Sequence, residues 1–105
     1  MKKLVFVMFM ASAVGVSAQD RDERTFIREL AGVLASEEIC GLNYGQDAIR
    51  ALINENVSPD SLSFAQDLDM RVQGNAYLYE AQGESARTAH CAAITLAARH
   101  YGFID

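Results

Sequence analysis

The chain has 105 residues, with 14 Asp and Glu against nine Lys and Arg, so its formal net charge at pH 7 is −5. This length predicts a single domain. The acidic balance excludes a protein that binds nucleic acid through a basic face. It also excludes a protein that electrostatic attraction holds on an anionic membrane.

The first 19 residues, MKKLVFVMFMASAVGVSAQ, have the three-part organisation of a secretory signal peptide. Lys2 and Lys3 precede an uncharged apolar run, and Val-Ser-Ala at residues 16–18 is a small-residue cleavage site. The alternative is a short membrane anchor, but the run is shorter than the roughly 20 residues that a spanning helix needs. We therefore predict a signal peptide over residues 1–18 and a periplasmic or secreted helical domain over residues 19–105. Cleavage would leave seven arginines against all 14 acidic residues, a net charge of −7.

Apolar residues recur at intervals of three and four along the rest of the chain, which predicts helices rather than strands. The first helix is predicted over residues 22–40, with Gly41 in the left-handed conformation that caps many helices. The second is predicted over residues 43–56, where Asn43 followed by Gln46 resembles a capping box.

The third helix is predicted to begin with Ser58 as its N-cap and Pro59 at the first helical position. It is predicted to end at Gly83. Gly74 inside this helix costs up to about 1 kcal/mol relative to alanine. We therefore expect it to mark a close helix crossing or a bend.

The fourth helix is predicted over residues 86–101, with Ser85 as its N-cap, Gly102 as its C-terminal cap and Phe103 turned back onto it. Its alanines and Leu96 make it apolar over most of its circumference. A short helix of that kind is normally the central one of a bundle. The predicted fold is therefore all-α, a small four-helix bundle with the fourth helix at its centre and Phe103 buried.

Cys40 and Cys91 are the two cysteines. Export and an even count favour a structural disulfide between them, which closes a loop of about fifty residues and stabilises the domain by on the order of 4 kcal/mol. The alternative is a redox or nucleophilic pair, but the Cys-x-x-Cys spacing of catalytic dithiols is absent. His90 cannot serve Cys91 as a base within one helix, because neighbouring helical residues point in different directions.

His90 and His100 lie ten residues apart on the predicted fourth helix, about 15 Å along its axis. They are too far apart to bind one zinc ion, whose ligands lie about 2 Å from the metal. No metal or cofactor site is predicted. We interpret His90 as a partly exposed residue on the flank of the helix and His100 as a favourable charge at its C-terminus; the alternative for both is binding or pH sensing.

Glu37 lies on the apolar stripe of the first helix, between Val33 and Cys40. A buried carboxylate there could bind a partner or sense pH. The alternative, which we favour, is that Glu37 leans out towards an arginine. No Ser-His-Asp set, phosphate-binding loop or supported carboxylate pair is present in the sequence, so no catalytic residue and no enzyme are predicted.

The segment ELAGVLASEEICGLNYGQDAI, the TAHC of the fourth helix and the closing ARHYGFI resemble a group of short exported helical proteins of alphaproteobacteria. The pattern is a Cys-Gly-Leu after the first helix, a His-Cys in the last helix and a terminal His-Tyr-Gly-Phe. The resemblance spans most of residues 19–105 and implies an exported protein without implying an activity. Some members carry the label "signal recognition particle", but this chain has neither a GTP-binding loop nor a basic RNA-binding face.

These observations favour a non-enzymatic periplasmic protein that binds another, unidentified envelope protein. The alternative is an acid-activated periplasmic chaperone of the HdeA type, which the chain resembles in size, predicted helicity and one long-range disulfide. A small metal-binding protein or enzyme is the third hypothesis and has the least support from the sequence.

Overall fold

The computed structural model describes residues 22–105, and the predicted signal peptide over residues 1–18 lies outside them. Four helices and no strand occur in the described part of the chain, which confirms the all-α class. None of these helices is long and apolar enough to cross a membrane. The helices are α1 (residues 22–35), α2 (Gln46–Asn56), α3 (Phe64–Glu80) and α4 (Glu84–His100).

Regular helical structure in α1 stops at residue 35, before the predicted end at residue 40. Ser36 explains the early stop, because its hydroxyl donates to the carbonyl of Gly32 at 2.8 Å and its N–H turns to the carbonyl of Val33 at 3.2 Å. Serine side chains compete with the helix backbone in this way. The turns that follow close at Gly41, whose φ of 67° confirms the predicted left-handed cap.

α2 begins without the predicted capping box. Gly45 is its N-cap, and no side chain caps the helix. The amide of Gln46 donates to the carbonyl of Tyr44 at 3.3 Å, and Asn43 is exposed. The N–H of Gly45 donates to the carbonyl of Phe103 at 2.8 Å, so a tertiary contact holds the start of α2 in place of a local cap. The apolar side of α2 is half-buried against the core through Ala48, Ile49, Leu52 and Ile53.

α3 begins at Phe64 and not directly after Ser58, so the predicted start was wrong. Ser58 caps a separate turn, in which its hydroxyl accepts from the N–H of Asp60 at 3.2 Å and its carbonyl accepts from the N–H of Ser61 at 3.0 Å. A Ser-Pro-Asp sequence suits an isolated turn as well as a helix start. The buried ring of Phe64 stacks on Phe26 of α1, with 6.3 Å between ring centroids.

α1, and not α4, supplies most of the core, so the prediction of a central fourth helix was wrong. α4 begins after Gly83, not Ser85, and fully buries only Ala98. Leu96 on its outer side is 66% exposed. Alanine counts as apolar in a helical pattern, yet it is a strong helix former with little side-chain area to bury, so it also suits exposed faces. The buried residues of α1 and the turn after it are Ile27, Leu30, Ala31, Val33, Ala35 and Ser36.

α4 ends with the predicted cap, and the chain then folds back onto the core. Gly102 has a φ of 79°, and the N–H of Phe103 donates to the carbonyl of Ala98 at 2.9 Å. Phe103 is 2% exposed, which confirms its predicted burial. Its ring centroid lies 5.4 Å from that of Tyr44 and 5.5 Å from that of Tyr101. The fold-back therefore closes the core against the loop before α2.

Candidate functional site

A disulfide joins the turn after α1 to α4. The Cα atoms of Cys40 and Cys91 are 5.4 Å apart, across 51 positions of sequence, and the predicted pairing is confirmed. Both residues are half-buried, and the described chain holds no free cysteine. The bridge fixes the turn after α1 against the first half of α4, next to His90.

His90 is half-buried, in agreement with the predicted partial exposure, but it has contacts that the sequence did not predict. Its Nε2 lies 2.8 Å from the hydroxyl of Ser36, and its ring centroid lies 4.1 Å from that of Tyr79. Ser36 is completely buried. The hydroxyl proton of Ser36 points to the Gly32 carbonyl, so its oxygen is left to accept a hydrogen bond. Nε2 of His90 is therefore the donor, which assigns its proton to that nitrogen.

Ser36 and His90 have the spacing of a serine nucleophile and its base, but their surroundings differ from those of a catalytic pair. Ser36 has no exposed surface, so a substrate carbonyl cannot reach its hydroxyl. A nucleophilic hydroxyl directs its proton to the base, whereas this hydroxyl bonds the Gly32 carbonyl. We therefore interpret the pair as a structural contact that holds the end of α1 against α4.

Glu37 bonds a backbone group, and not the arginine that we expected. Its Oε2 accepts from the N–H of Tyr44 at 2.8 Å, and its carbonyl accepts from the N–H of Leu42 at 2.8 Å. The turn closed by Gly41 brings the loop before α2 over Glu37, and an N–H in this half-buried position needs an acceptor. Glu37 therefore fixes the loop between α1 and α2.

Tyr44 lies in this loop and is 3% exposed, with its hydroxyl donating to the carbonyl of Val33 at 2.8 Å. Burial, and to a lesser degree the Glu37 carboxylate, raise the pKa of Tyr44 to about 12. Burial and then Glu29 raise the pKa of Tyr101 as well. Helical periodicity gave no sign of this role, because it placed Tyr44 in the predicted second helix over residues 43–56, whereas the residue lies in the loop before α2.

His100 is exposed at the C-terminal end of α4, where its ring lies edge-on to Tyr101 with 5.6 Å between centroids. His100 therefore lies at the end of α4, and its proposed role as a favourable charge there stays a prediction. His90 faces Ser36 in the half-buried part of the molecule, so the two histidines do not form one site. No group of three or more His, Cys, Asp or Glu among residues 22–105 is arranged to hold a metal ion.

The outward side of α3 carries large apolar side chains. Met70 is 64% exposed, Tyr77 is 75% exposed and Leu78 is 62% exposed. Gly74 lies between them. Apart from its chain neighbours and the adjacent backbone of α3, no atom of the described chain lies within 4 Å of where its Cβ would be, so the predicted close crossing is wrong within this part of the molecule, and the alternative, a bend, stays a prediction. We call this surface the α3 face. It consists of the exposed residues Asp67, Met70, Arg71, Gly74, Tyr77, Leu78 and Ala81.

Two open clefts lie beside α1. The larger has a volume of about 570 Å³, and its lining includes Phe26 and the carboxylates of Asp22, Glu23, Glu55 and Asp60. The second has a volume of about 400 Å³, lies between α1 and α3, and adjoins the α3 face. Its lining residues are Arg24, Ile27, Asp67, Met70 and Arg71.

Of the residues that the sequence singled out, the structure brings Cys40, Cys91 and His90 to one region and leaves Glu37 and His100 in separate contacts. Sequence reasoning did not find the α3 face, because exposure on one helix depends on where the other helices pack. Comparison of the chain with family models, curated proteins and solved structures found no match.

Proposed function

We propose that this chain is a non-enzymatic periplasmic protein that binds another envelope protein through the α3 face. The observation that carries the proposal is the exposure of Met70, Tyr77 and Leu78, each at least 62% exposed. Single exposed apolar residues are ordinary on protein surfaces, but these three lie within about two turns of one helix. Methionine and tyrosine are also enriched at protein interfaces.

The disulfide supports the proposed location. Cys40 and Cys91 are joined, and disulfides persist in oxidising compartments such as the periplasm. The signal peptide predicted over residues 1–18 would deliver the chain there.

The hydrogen bonds that Ser36 and Glu37 make within the fold support a role without catalysis. Ser36 is buried and bonds the Gly32 carbonyl, and Glu37 bonds the N–H of Tyr44. Each group stabilises the fold at its position. Glu37 also lines a cleft of about 260 Å³ beside α3, but its Oε2 already accepts the N–H of Tyr44. Binding through a surface therefore accounts better for this arrangement than a reaction does.

The test is site-specific photocrosslinking in the periplasm of the native host. A photoreactive amino acid replaces Tyr77 on the α3 face, or Ala51 on the exposed side of α2 as a matched control. We expect a discrete crosslinked envelope protein from position 77 and none from position 51, identified by mass spectrometry. The variant Tyr77→Asp, combined with the crosslinker at position 78, is expected to abolish the product.

The proposal fails if position 77 yields no envelope protein, or if both positions yield the same set of products. Tyr77 is exposed, so its replacement should change the free energy of unfolding by no more than about 0.5 kcal/mol. A melting curve of Tyr77→Asp confirms that loss of the crosslink reflects loss of binding.

A further inference from the structure

The cleft between α1 and α3 combines two arginines with apolar surface. Arg24 of α1 and Arg71 of α3 are exposed, and both line this cleft of about 400 Å³. Ile27, which is 5% exposed, and Met70 supply the apolar part of its lining. The volume lies within the range of roughly 300–1,000 Å³ that is usual for small-molecule sites.

Neither of these two guanidinium groups forms a close ion pair with a carboxylate of residues 22–105. Asp67 also lines the cleft and lies four positions before Arg71 on α3, the spacing at which opposite charges pair on a helix. Within the described chain, however, no carboxylate oxygen lies within 4.0 Å of Arg24 or Arg71. The lining therefore carries two positive charges against one negative charge, in a chain that is acidic as a whole.

We propose that this cleft binds a small monocarboxylate with an apolar tail, of the chemical class of the medium-chain fatty acids. A carboxylate accepts two parallel N–H bonds from the planar guanidinium of an arginine, so Arg24 and Arg71 are matched to it. The tail lies against Ile27, Met70 and the methylene stems of the two arginines. We call this site the anion cleft.

Asp67 restricts the charge that the anion cleft can accept. Its carboxylate leaves a net charge of +1 in the lining, which a single carboxylate neutralises. A dianion such as inorganic phosphate places an excess of negative charge beside Asp67, and like charges at short range repel. An uncharged ligand leaves both arginines without a counter-charge, so a monoanion is the best match.

The anion cleft does not depend on the proposed function. It shares Asp67, Met70 and Arg71 with the α3 face, but Arg24 and Ile27 belong to α1. Its ligand is a small molecule, whereas the proposed function assigns a protein to the α3 face. Ligand binding in the cleft and crosslinking from position 77 therefore measure separate properties.

The first experiment titrates octanoate into the purified protein with its disulfide intact, and follows the amide chemical shifts of the 15N-labelled chain. We expect saturable shifts around residues 24–27 and 67–71, with a Kd on the order of 1 mM because exposed charges are screened by salt. Octanol and octylammonium have the same chain length and should leave these residues unshifted. Octanoate binding that does not saturate, or equal binding of octanol, overturns the proposal.

The second experiment separates the anion cleft from general binding of an apolar chain. Arg24→Gln and Arg71→Gln are each expected to weaken octanoate binding about fivefold, whereas Arg50→Gln on α2, outside the cleft, should leave it unchanged. Asp67→Asn removes the negative charge and should strengthen binding about threefold. Arginine variants that bind as well as the unchanged chain, or weaker binding by Asp67→Asn, overturn the proposed charge match.

All four substituted positions are exposed, so the variants should keep the melting temperature of the unchanged chain. Melting curves check this and tie any loss of binding to the cleft. Octanoate binding without a crosslinked partner at position 77 would retain the anion cleft and remove the proposed function. A crosslinked partner without octanoate binding would do the reverse.

Discussion

The N–H of Gly45 donates a hydrogen bond to the carbonyl of Phe103 at 2.8 Å. The bond ties the N-cap residue of α2 to the fold-back after α4. Phe103 is also bonded through its own N–H to Ala98 and packs its ring against Tyr44. Two distant segments of the chain thus meet at one aromatic residue.

Truncation of this ring should therefore destabilise the whole domain. We expect Phe103→Ala to lower the free energy of unfolding by about 3 kcal/mol, because the change leaves a cavity at a site that is 2% exposed. Urea denaturation followed by circular dichroism at 222 nm measures the loss. Leu62→Ala is the control, since Leu62 is 92% exposed and its loss should matter little. Equal effects of the two substitutions would mean that Phe103 does not close the core.

Stability should fall at alkaline pH through Tyr44. The folded-state pKa of about 12 lies above the usual value of 10, so the folded state holds a proton that the unfolded state loses first. The stabilisation that the protonated hydroxyl of Tyr44 contributes is complete below pH 10 and disappears as the pH rises towards 12. Rapid urea unfolding at pH 8, 10 and 11 measures this slope. Tyr44→Phe should reduce this slope, and the raised pKa of Tyr101 should leave part of it in place.

The disulfide should carry a large share of the stability. A loop of 51 positions corresponds to about 4 kcal/mol in the chain-entropy model. Reduction by dithiothreitol, or the double substitution Cys40→Ala and Cys91→Ala, is expected to lower the melting temperature strongly. The double variant serves as the control, since dithiothreitol should leave its melting temperature unchanged. Two titratable thiols per molecule in freshly purified protein would contradict the pairing.

Ser36 and His90 should be energetically coupled. Ser36→Ala removes the acceptor of the Nε2 proton, and His90→Phe keeps a ring beside Tyr79 but removes the nitrogen. In a double-mutant cycle we expect a coupling of about 0.5–1.5 kcal/mol, the usual range for one hydrogen bond. His90→Phe combined with Asn56→Ala, at the end of α2, should be additive. Additive behaviour of the Ser36 and His90 pair as well would show that the contact contributes nothing.

Features decided within a few residues could be predicted from the sequence. Gly41 and Gly102 end their helices as predicted, because a left-handed cap depends on local backbone conformation. The Cys40–Cys91 pairing could be predicted from an even cysteine count and a predicted signal peptide. The burial of Phe103 followed from the cap beside it.

Features decided by packing could not be predicted. The alanines of α4 led us to predict a buried surface, but most of them face solvent because α1 lies at the centre of the core. The contact between Ser36 and His90 joins positions 54 residues apart, which no local pattern reports. One signal was available: Ser36 lies three positions after Val33 within the predicted first helix, and a polar residue buried beside that apolar stripe requires a partner.

The helix at the centre of the core is also the first helix of the described chain. Its apolar residues pack with Phe64, Ala98 and Phe103, which come much later in the sequence. A chain that emerges from its N-terminal end therefore exposes α1 before the residues that cover it exist. Native contacts of such long sequence separation form late and together, because each requires closure of a large loop. The polypeptide should consequently stay unfolded until the segment around Phe103 has emerged, and then fold in a single cooperative step whose rate is set by the arrival of that segment.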